Sequence, residues 1–316
     1  MSKLDNFGLM LEPQLGMKTS EVVEWAKLAE ECRFGYLFRS DHLLPTGTRE
    51  KLDAPECWTS LAALAALTSR IRFGPLVTPL GFRNPALLAK MACTLHSFSN
   101  QRLVLGIGLG WNKEEYFAHG MGFPNNATRL EQFVEGLEIV KPLIQGRRAD
   151  FEGAHFSAHT ECFPKPKSKI HLIVGGKSER MAKIAAKYAD EWNTYDTPLE
   201  EFMRFKTVVD RNSGTRKVEC TLMCQFLLAE NLSELRERAK RSAKYLRIDA
   251  GVDTFMSMIQ KHAVKNNEFV FGLVDDFVSQ LNRLFEGGVD KLYLHSCDPM
   301  DFDMVRLLRD TISNKL

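Results

Sequence analysis

Asp41-His42 lies between an apolar stretch, Phe34 to Ser40, and a loop rich in Pro, Gly and Asp. Histidine titrates near neutrality without a large shift, so His42 can transfer or stabilise a proton if the fold points it at a ligand. It can equally be a satisfied structural histidine. By strand alternation Arg39 falls on the side of Asp41, and an Arg39-Asp41 pair would fix the loop. A second candidate is the run Leu103 to Trp111, where an apolar strand enters Gly106, Gly108 and Gly110 and then Trp111, Asn112, Glu114 and Glu115. Glycine at every second position clears one face of a strand end for a flat or phosphorylated ligand, or simply for close packing. A third is Gly175-Gly176-Lys177-Ser178, between an apolar strand and a helix, where backbone N–H groups and the Ser178 hydroxyl can meet an anion or form an ordinary N-capped turn. Neither glycine run has the spacing of a Walker or dinucleotide motif.

His155, His159, Glu161 and Cys162 carry metal-ligand side chains in a short segment, but no second ligand pair accompanies them and no metal is expected. Cys220 and Cys224 share one face of a strand and read as core. The seven cysteines are odd in number and lie mostly within apolar segments, as reduced core thiols do.

These residues have to be positioned by something. The chain alternates strands at 6–11, 34–40, 71–78, 102–108, 170–174, 191–195, 218–228 and 291–295 with helical patterns, with no linker or short repeat. Eight such strands make a (β/α)8 barrel, a TIM barrel of one domain over 1–316, with insertions at 146–169 and 247–272. Barrels of this length occur as single units. The fold class makes a demand: chemistry should gather where strands end. Glu12, Asp41-His42, Thr78, the Gly108-Trp111-Asn112 turn, Gly175 to Ser178, Asn193 and His295 all sit at strand ends.

Hydrophobic residues at 44% and charged residues at 26% fit a globular chain with a large core. A net charge of +2 with interspersed signs argues against nucleic acid or an acidic membrane as partner. The start lacks an apolar signal segment and no stretch approaches the ~18 apolar residues of a membrane span, so the protein reads as cytoplasmic. Leu61 to Leu67 is apolar nearly all round and predicts a covered helix, as in a homodimer.

Five stretches carry a resemblance over nearly the whole chain: MLEPQ at 10–14, FRSDHL at 38–43, SRIRFGPLVTP at 69–79, residues 82–111, and IVGGKSERMAKIAAKYADEWN at 173–193. They resemble the luciferase-like flavin and deazaflavin oxidoreductases, and within them the coenzyme F420-dependent branch. The resemblance implies a flavin or deazaflavin in the barrel mouth, with its phosphate near Gly175, Gly176, Lys177 and Ser178. Its ring would lie across Leu76, Val77 and Thr78, near Gly108, Trp111 and Asn112. A non-prolyl cis bond would fall at Leu76-Val77. His42, supported by Asp41, would occupy the active-site histidine position of F420-dependent relatives. Trp111 stands where certain F420-dependent sugar-phosphate dehydrogenases carry a glutamate, which argues against that substrate class. The implied activity is hydride transfer between F420 and a small organic substrate. The alternatives are an FMN-dependent monooxygenase and a flavin-binding barrel without turnover. Loops 43–57, 112–128 and 247–272 would shape the substrate pocket.

Overall fold

The computed structural model describes residues 2–46 and 51–316. In its first half β1 (Phe7–Leu11), α1 (Thr19–Glu31), β2 (Tyr36–Arg39), α2 (Cys57–Leu67), β3 (Arg72–Pro75) and β4 (Thr78–Pro79) precede α3 (Pro85–Phe98) and β5 (Val104–Gly108). Then come α4 (Lys113–Ala118), α5 (Asn126–Ile144), the antiparallel hairpin β6 (Ala149–Glu152) and β7 (Ser157–Thr160), β8 (His171–Gly175), α6 (Glu179–Tyr188) and β9 (Glu191–Tyr195). The rest is α7 (Leu199–Asn212), β10 (Glu219–Ala229), α8 (Leu232–Tyr245), α9 (Val252–Asn266), β11 (Phe269–Leu273), α10 (Val274–Glu286), β12 (Lys291–Ser296) and α11 (Phe302–Lys315).

Parallel pairing runs β3-β2-β1-β12-β10-β9-β8-β5-β4, and a bridge from Phe73 to Leu103 joins the two ends into a barrel. Its nine strands form eight staves, because β3 and β4 are two pieces of one stave parted at Leu76-Val77, where the peptide bond is cis. The β6-β7 hairpin lies within residues 146–169. One strand departs from the sequence reading: Phe269–Leu273, read as a stretch inside the 247–272 insertion, pairs with Gln225–Ala229 of β10. The reason is the length of β10. Its neighbour β9 covers one edge only to Met223, so the unpaired N–H and C=O groups beyond it take up β11.

Strand alternation divides the staves between two cores. Outward residues such as Leu9, Leu37, Leu105 and Leu292 pack under the helices, while Met10, Tyr36, Phe38, Leu76, Val104, Ile173 and Tyr293 fill the lumen. Below this apolar layer the lumen is ionic. Glu191, fully buried, accepts from Tyr293 Oη (2.8 Å), Thr221 Oγ1 (2.7 Å) and His171 Nε2 (3.0 Å), and Lys291 bonds Glu219 beside it. Burial works against the charged Glu191, but His171 and Lys291 outweigh it and hold the carboxyl below its usual range. A floor closed by charge and a middle closed by aromatic rings leave the upper end as the open one.

Candidate active site

The C-terminal strand ends enclose a cavity of about 590 Å³, within the range of small-molecule sites. His42 lies on its wall just beyond β2. The first turn of α4 brings Glu115 beneath it: His42 Nδ1 donates to Glu115 Oε1 at 2.9 Å, and the same oxygen accepts from the backbone N–H of Leu43 (3.0 Å) and Leu44 (3.3 Å). Glu115 is buried. Burial opposes charge on His42, the Glu115 carboxylate overcomes that penalty, and the imidazole titrates above its ordinary value. With Nδ1 committed, Nε2 is the nitrogen left for a ligand. Trp111, 67% exposed, sets its ring edge-on to His42 at 5.8 Å between centroids.

Asp41 is fixed differently from the sequence expectation. Its carboxylate accepts from Arg83 Nη1 at 2.6 Å and from the Thr78 hydroxyl, and Arg83 also reaches Glu56 at 2.9 Å. Arg39 does not pair with it. That guanidinium turns outward and donates to the carbonyls of Ser40 (3.0 Å), Glu56 (3.3 Å) and Pro55 (2.7 Å) and to Ser60. Alternation put Arg39 and Asp41 on one side, but β2 ends at Arg39, so the alternation does not extend to Asp41.

The alternating glycines make room for a side chain of the protein itself. A Cβ on Gly108 would stand 2.3 Å from Val77 Cγ2, and one on Gly175 2.8 Å from Val77 Cγ1. A Cβ on Gly106 would meet the Pro75 carbonyl at 2.4 Å. The glycine face is therefore occupied by Val77, which in turn lines the cavity with Leu76 and Gly108. Thr78 is fully buried, its hydroxyl spent on Asp41.

At the next strand end Gly176 N–H donates to the Asn193 carbonyl (3.0 Å), and the Ser178 hydroxyl caps α6 by accepting from Met181 N–H (3.3 Å). A hydroxyl that accepts as a cap keeps its own proton to donate. The N–H groups of the first turn of α6 also remain without intrahelical partners, as at any helix start. Gly175, Gly176 and Lys177 border the cavity, and Lys177 is paired with Asp196 at 2.6 Å. On the opposite rim Tyr116 has a buried hydroxyl without a hydrogen-bond partner among the described residues, and burial pushes its ionisation up to about 12. An open apolar slot backed by Val77, a helix start at one end and an unpartnered hydroxyl near the other fit a planar, phosphorylated cofactor. Of the residues expected at such a cofactor, the cavity gathers Leu76, Val77, Gly108, Trp111, Asn112, Gly175, Gly176 and Lys177 on its wall, while Thr78 and Ser178 stand behind it.

Reading the sequence alone did not find Glu115 as the partner of His42, Arg83 as the partner of Asp41, or the bonding of Gln14 to Glu12 and Ser40. Within the 43–57 loop expected to shape the pocket, residues 47–50 lie outside the described residues. The histidines of the insertion are apart from the site: His155 bonds Glu131 (3.1 Å), and His159 bonds Glu152 (2.6 Å) and Asp150. No helix among the described residues is long and apolar enough to cross a membrane.

Residues 5–270 match the family described as luciferase-like monooxygenase. The pyrimidine monooxygenase RutA of Pseudomonas savastanoi pv. phaseolicola is 37% identical over 188 residues, 57% of this chain and 51% of that protein. The chain thus spans about half the length of this curated relative. Among solved structures, an F420-dependent secondary alcohol dehydrogenase in complex with an F420-acetone adduct has a TM-score of 0.81 at 18% identity, covering 97% of both chains. The oxygenating constituent of 3,6-diketocamphane monooxygenase from Pseudomonas putida, in complex with FMN, has a TM-score of 0.77 at 19% identity, covering 100% of this chain and 99% of that one. At these identities the two structures establish a common barrel fold.

Proposed function

Because the chain belongs to the luciferase-like monooxygenase family, we propose that it is an F420-dependent oxidoreductase that moves a hydride between the deazaflavin and a small organic substrate. The observation that supports this most is His42, held on the cavity wall by Glu115 with one ring nitrogen left over. When bound, F420 supplies a ring carbon that takes or gives a hydride and reacts slowly with oxygen. The protein's own part is positional and protonic. Val77 and Leu76 back the ring, and the start of α6 with Gly175, Gly176, Lys177 and Ser178 holds the phosphate. His42 holds or releases the proton at Nε2 that accompanies the hydride, and Asp41 keeps the His42 loop in place through Arg83.

The test is a binding titration of F420 against FMN, followed by absorption bleaching with candidate reductants. Tighter binding of F420 supports the reading, and tighter FMN binding with oxygen consumption replaces it with a monooxygenase. Replacing His42 by Asn should preserve cofactor affinity and lower turnover by roughly 10²–10⁴-fold, the usual contribution of a positioned acid or base.

The same reading makes the protein a cytoplasmic homodimer. Its seven cysteines are free and buried, α2 exposes Leu67 among exposed alanines, and the adjoining α3 exposes Leu87 and Phe98.

A further inference from the structure

Beside the mouth lies a second cavity, of about 450 Å³, that the reaction described above does not use. The segment following β4, the stretch after α4 and the first turns of α5 enclose it, and Phe82, Leu109 and Tyr116 are walls it shares with the mouth. None of Gly175, Gly176, Lys177 and Ser178, assigned above to the cofactor phosphate, lines it. Most of the lining is apolar, with the rings of Phe82, Phe133 and Phe156 among it, and the volume suits a small organic molecule.

The charged lining is of one sign: Arg83 and Arg129 line the cavity, and among the described residues no Asp, Glu, His or Lys does. Arg83 is already neutralised by Asp41 and Glu56. Arg129 forms no ion pair with any described residue; its guanidinium lies over the Phe123 ring at 3.9 Å and donates to two neutral oxygens, the Gly110 carbonyl from Nη1 (3.3 Å) and Asn126 Oδ1 from Nη2 (3.2 Å). One N–H remains on each Nη, and Nε is enclosed without a partner among the described residues. A guanidinium so held, short of hydrogen bonds and without a counter-charge, is incomplete until an anion reaches it, and the two Nη donors match the two oxygens of a carboxylate. One uncompensated positive charge balances one negative charge.

We propose that this side cavity binds an aromatic monocarboxylate, with the carboxylate on Arg129 and the ring among Phe82, Phe133 and Phe156. The site is separate from the flavin, and it goes beyond the hydride-transfer reading without resting on it.

The experiment uses the full chain labelled with ¹³C in its methionine methyl groups, alone and loaded with F420 or with FMN. Met121 lines the side cavity, whereas Met181 and Met223 line the mouth, so each cavity has its own signals, assigned by single Met→Leu changes. 4-Fluorobenzoate should move the Met121 signal saturably, leave those of Met181 and Met223 in place, and meet no competition from either cofactor. 4-Fluorobenzyl alcohol should bind roughly tenfold more weakly or worse, the worth of a hydrogen bond to a charged group. Arg129→Gln should abolish the preference for the acid, and Arg129→Lys, which keeps the charge and loses the fork, should retain part of it. If Arg129→Gln does not fold, Arg129→Lys and the wild-type titrations still decide the matter. The proposal is overturned if the alcohol binds wild type as tightly as the acid, if the acid moves Met181 or Met223 instead of Met121, if F420 or FMN displaces it, or if neither probe binds. A chain that prefers FMN would overturn the F420 reading and leave this result standing.

Discussion

His42 and Glu115, 73 residues apart in the chain, meet at 2.9 Å across the mouth of the barrel, and the histidine titrates above its ordinary value as a result. A raised folded value means that the protonated form binds its surroundings better than it does in the unfolded chain. The stabilisation is therefore complete below the unfolded value of ~6.5 and is lost as pH rises through the higher folded value. Glu115→Gln keeps a carbonyl for the Leu43 and Leu44 amides but removes the charge. It should cost about 1.5–3 kcal/mol below pH ~6.5, the range for hydrogen bonds to charged groups, and much less well above the folded value. Urea unfolding at several pH values measures this. A difference between wild type and variant that grows with pH would contradict it.

Asp41 and Arg83 form the second charged contact of the mouth, with the carboxylate fully enclosed. Removing one partner of a buried pair leaves the other uncompensated, typically at about 3–5 kcal/mol. Asp41→Asn should fall near the low end, because Arg83 keeps Glu56 and the amide can still accept from Thr78. Thermal unfolding gives the loss, and a change under about 1 kcal/mol would show that Glu56 alone satisfies Arg83.

The barrel was legible in the sequence because covered parallel strands are continuous apolar runs and their ends collected Gly, Asp, His and Asn. His42 was legible for the same reason. The partners were not. Glu115 and Arg83 are ordinary charged residues whose distance from Asp41-His42 is set by barrel closure, and nothing local marks them. The position of Glu115 in the first turn after Gly106-x-Gly108-x-Gly110 was the available signal, since that turn lies at the active face. The glycine spacing marks a face cleared for a ligand or for close packing, and spacing alone does not say what fills it, here Val77 from the neighbouring stave. Phe269–Leu273 was missed as a strand because its pairing depends on β10 outrunning β9.

The fit of Val77 into Gly108 gives a sharp test of that assignment. Gly108→Ala places a methyl 2.3 Å from Val77 Cγ2 and should destabilise by about 1–3 kcal/mol, as overpacking does. Val77→Ala in the same chain removes the clashing methyl groups. The double variant should then be more stable than the sum of the singles predicts, by about 0.5–3 kcal/mol. Strict additivity in denaturant unfolding would place the Gly108 face against something other than Val77.

The last prediction concerns the outer face of the barrel. On α3, Leu87 and Phe98 are 54% and 78% exposed, and on the adjoining α2 Leu67 is 47% exposed among exposed alanines. These positions lie on helices that contact each other, so they belong to one side of the molecule. Exposed apolar residues gathered on one side of a chain mark a docking surface more often than singly scattered ones do. A second copy placed there would bury them by a two-fold contact in which the same patch meets itself. Sedimentation of the wild type at micromolar concentration should give a dimer. Phe98→Lys puts one charge on each side of that contact, and like charges facing each other in a desolvated interface cost several kcal/mol, so the variant should sediment as a monomer at the same concentration. His42 and Glu115 come from other elements, so F420 affinity should hold in the monomer. A wild type that is already monomeric, or a Phe98→Lys variant that remains dimeric, would remove this face as the interface.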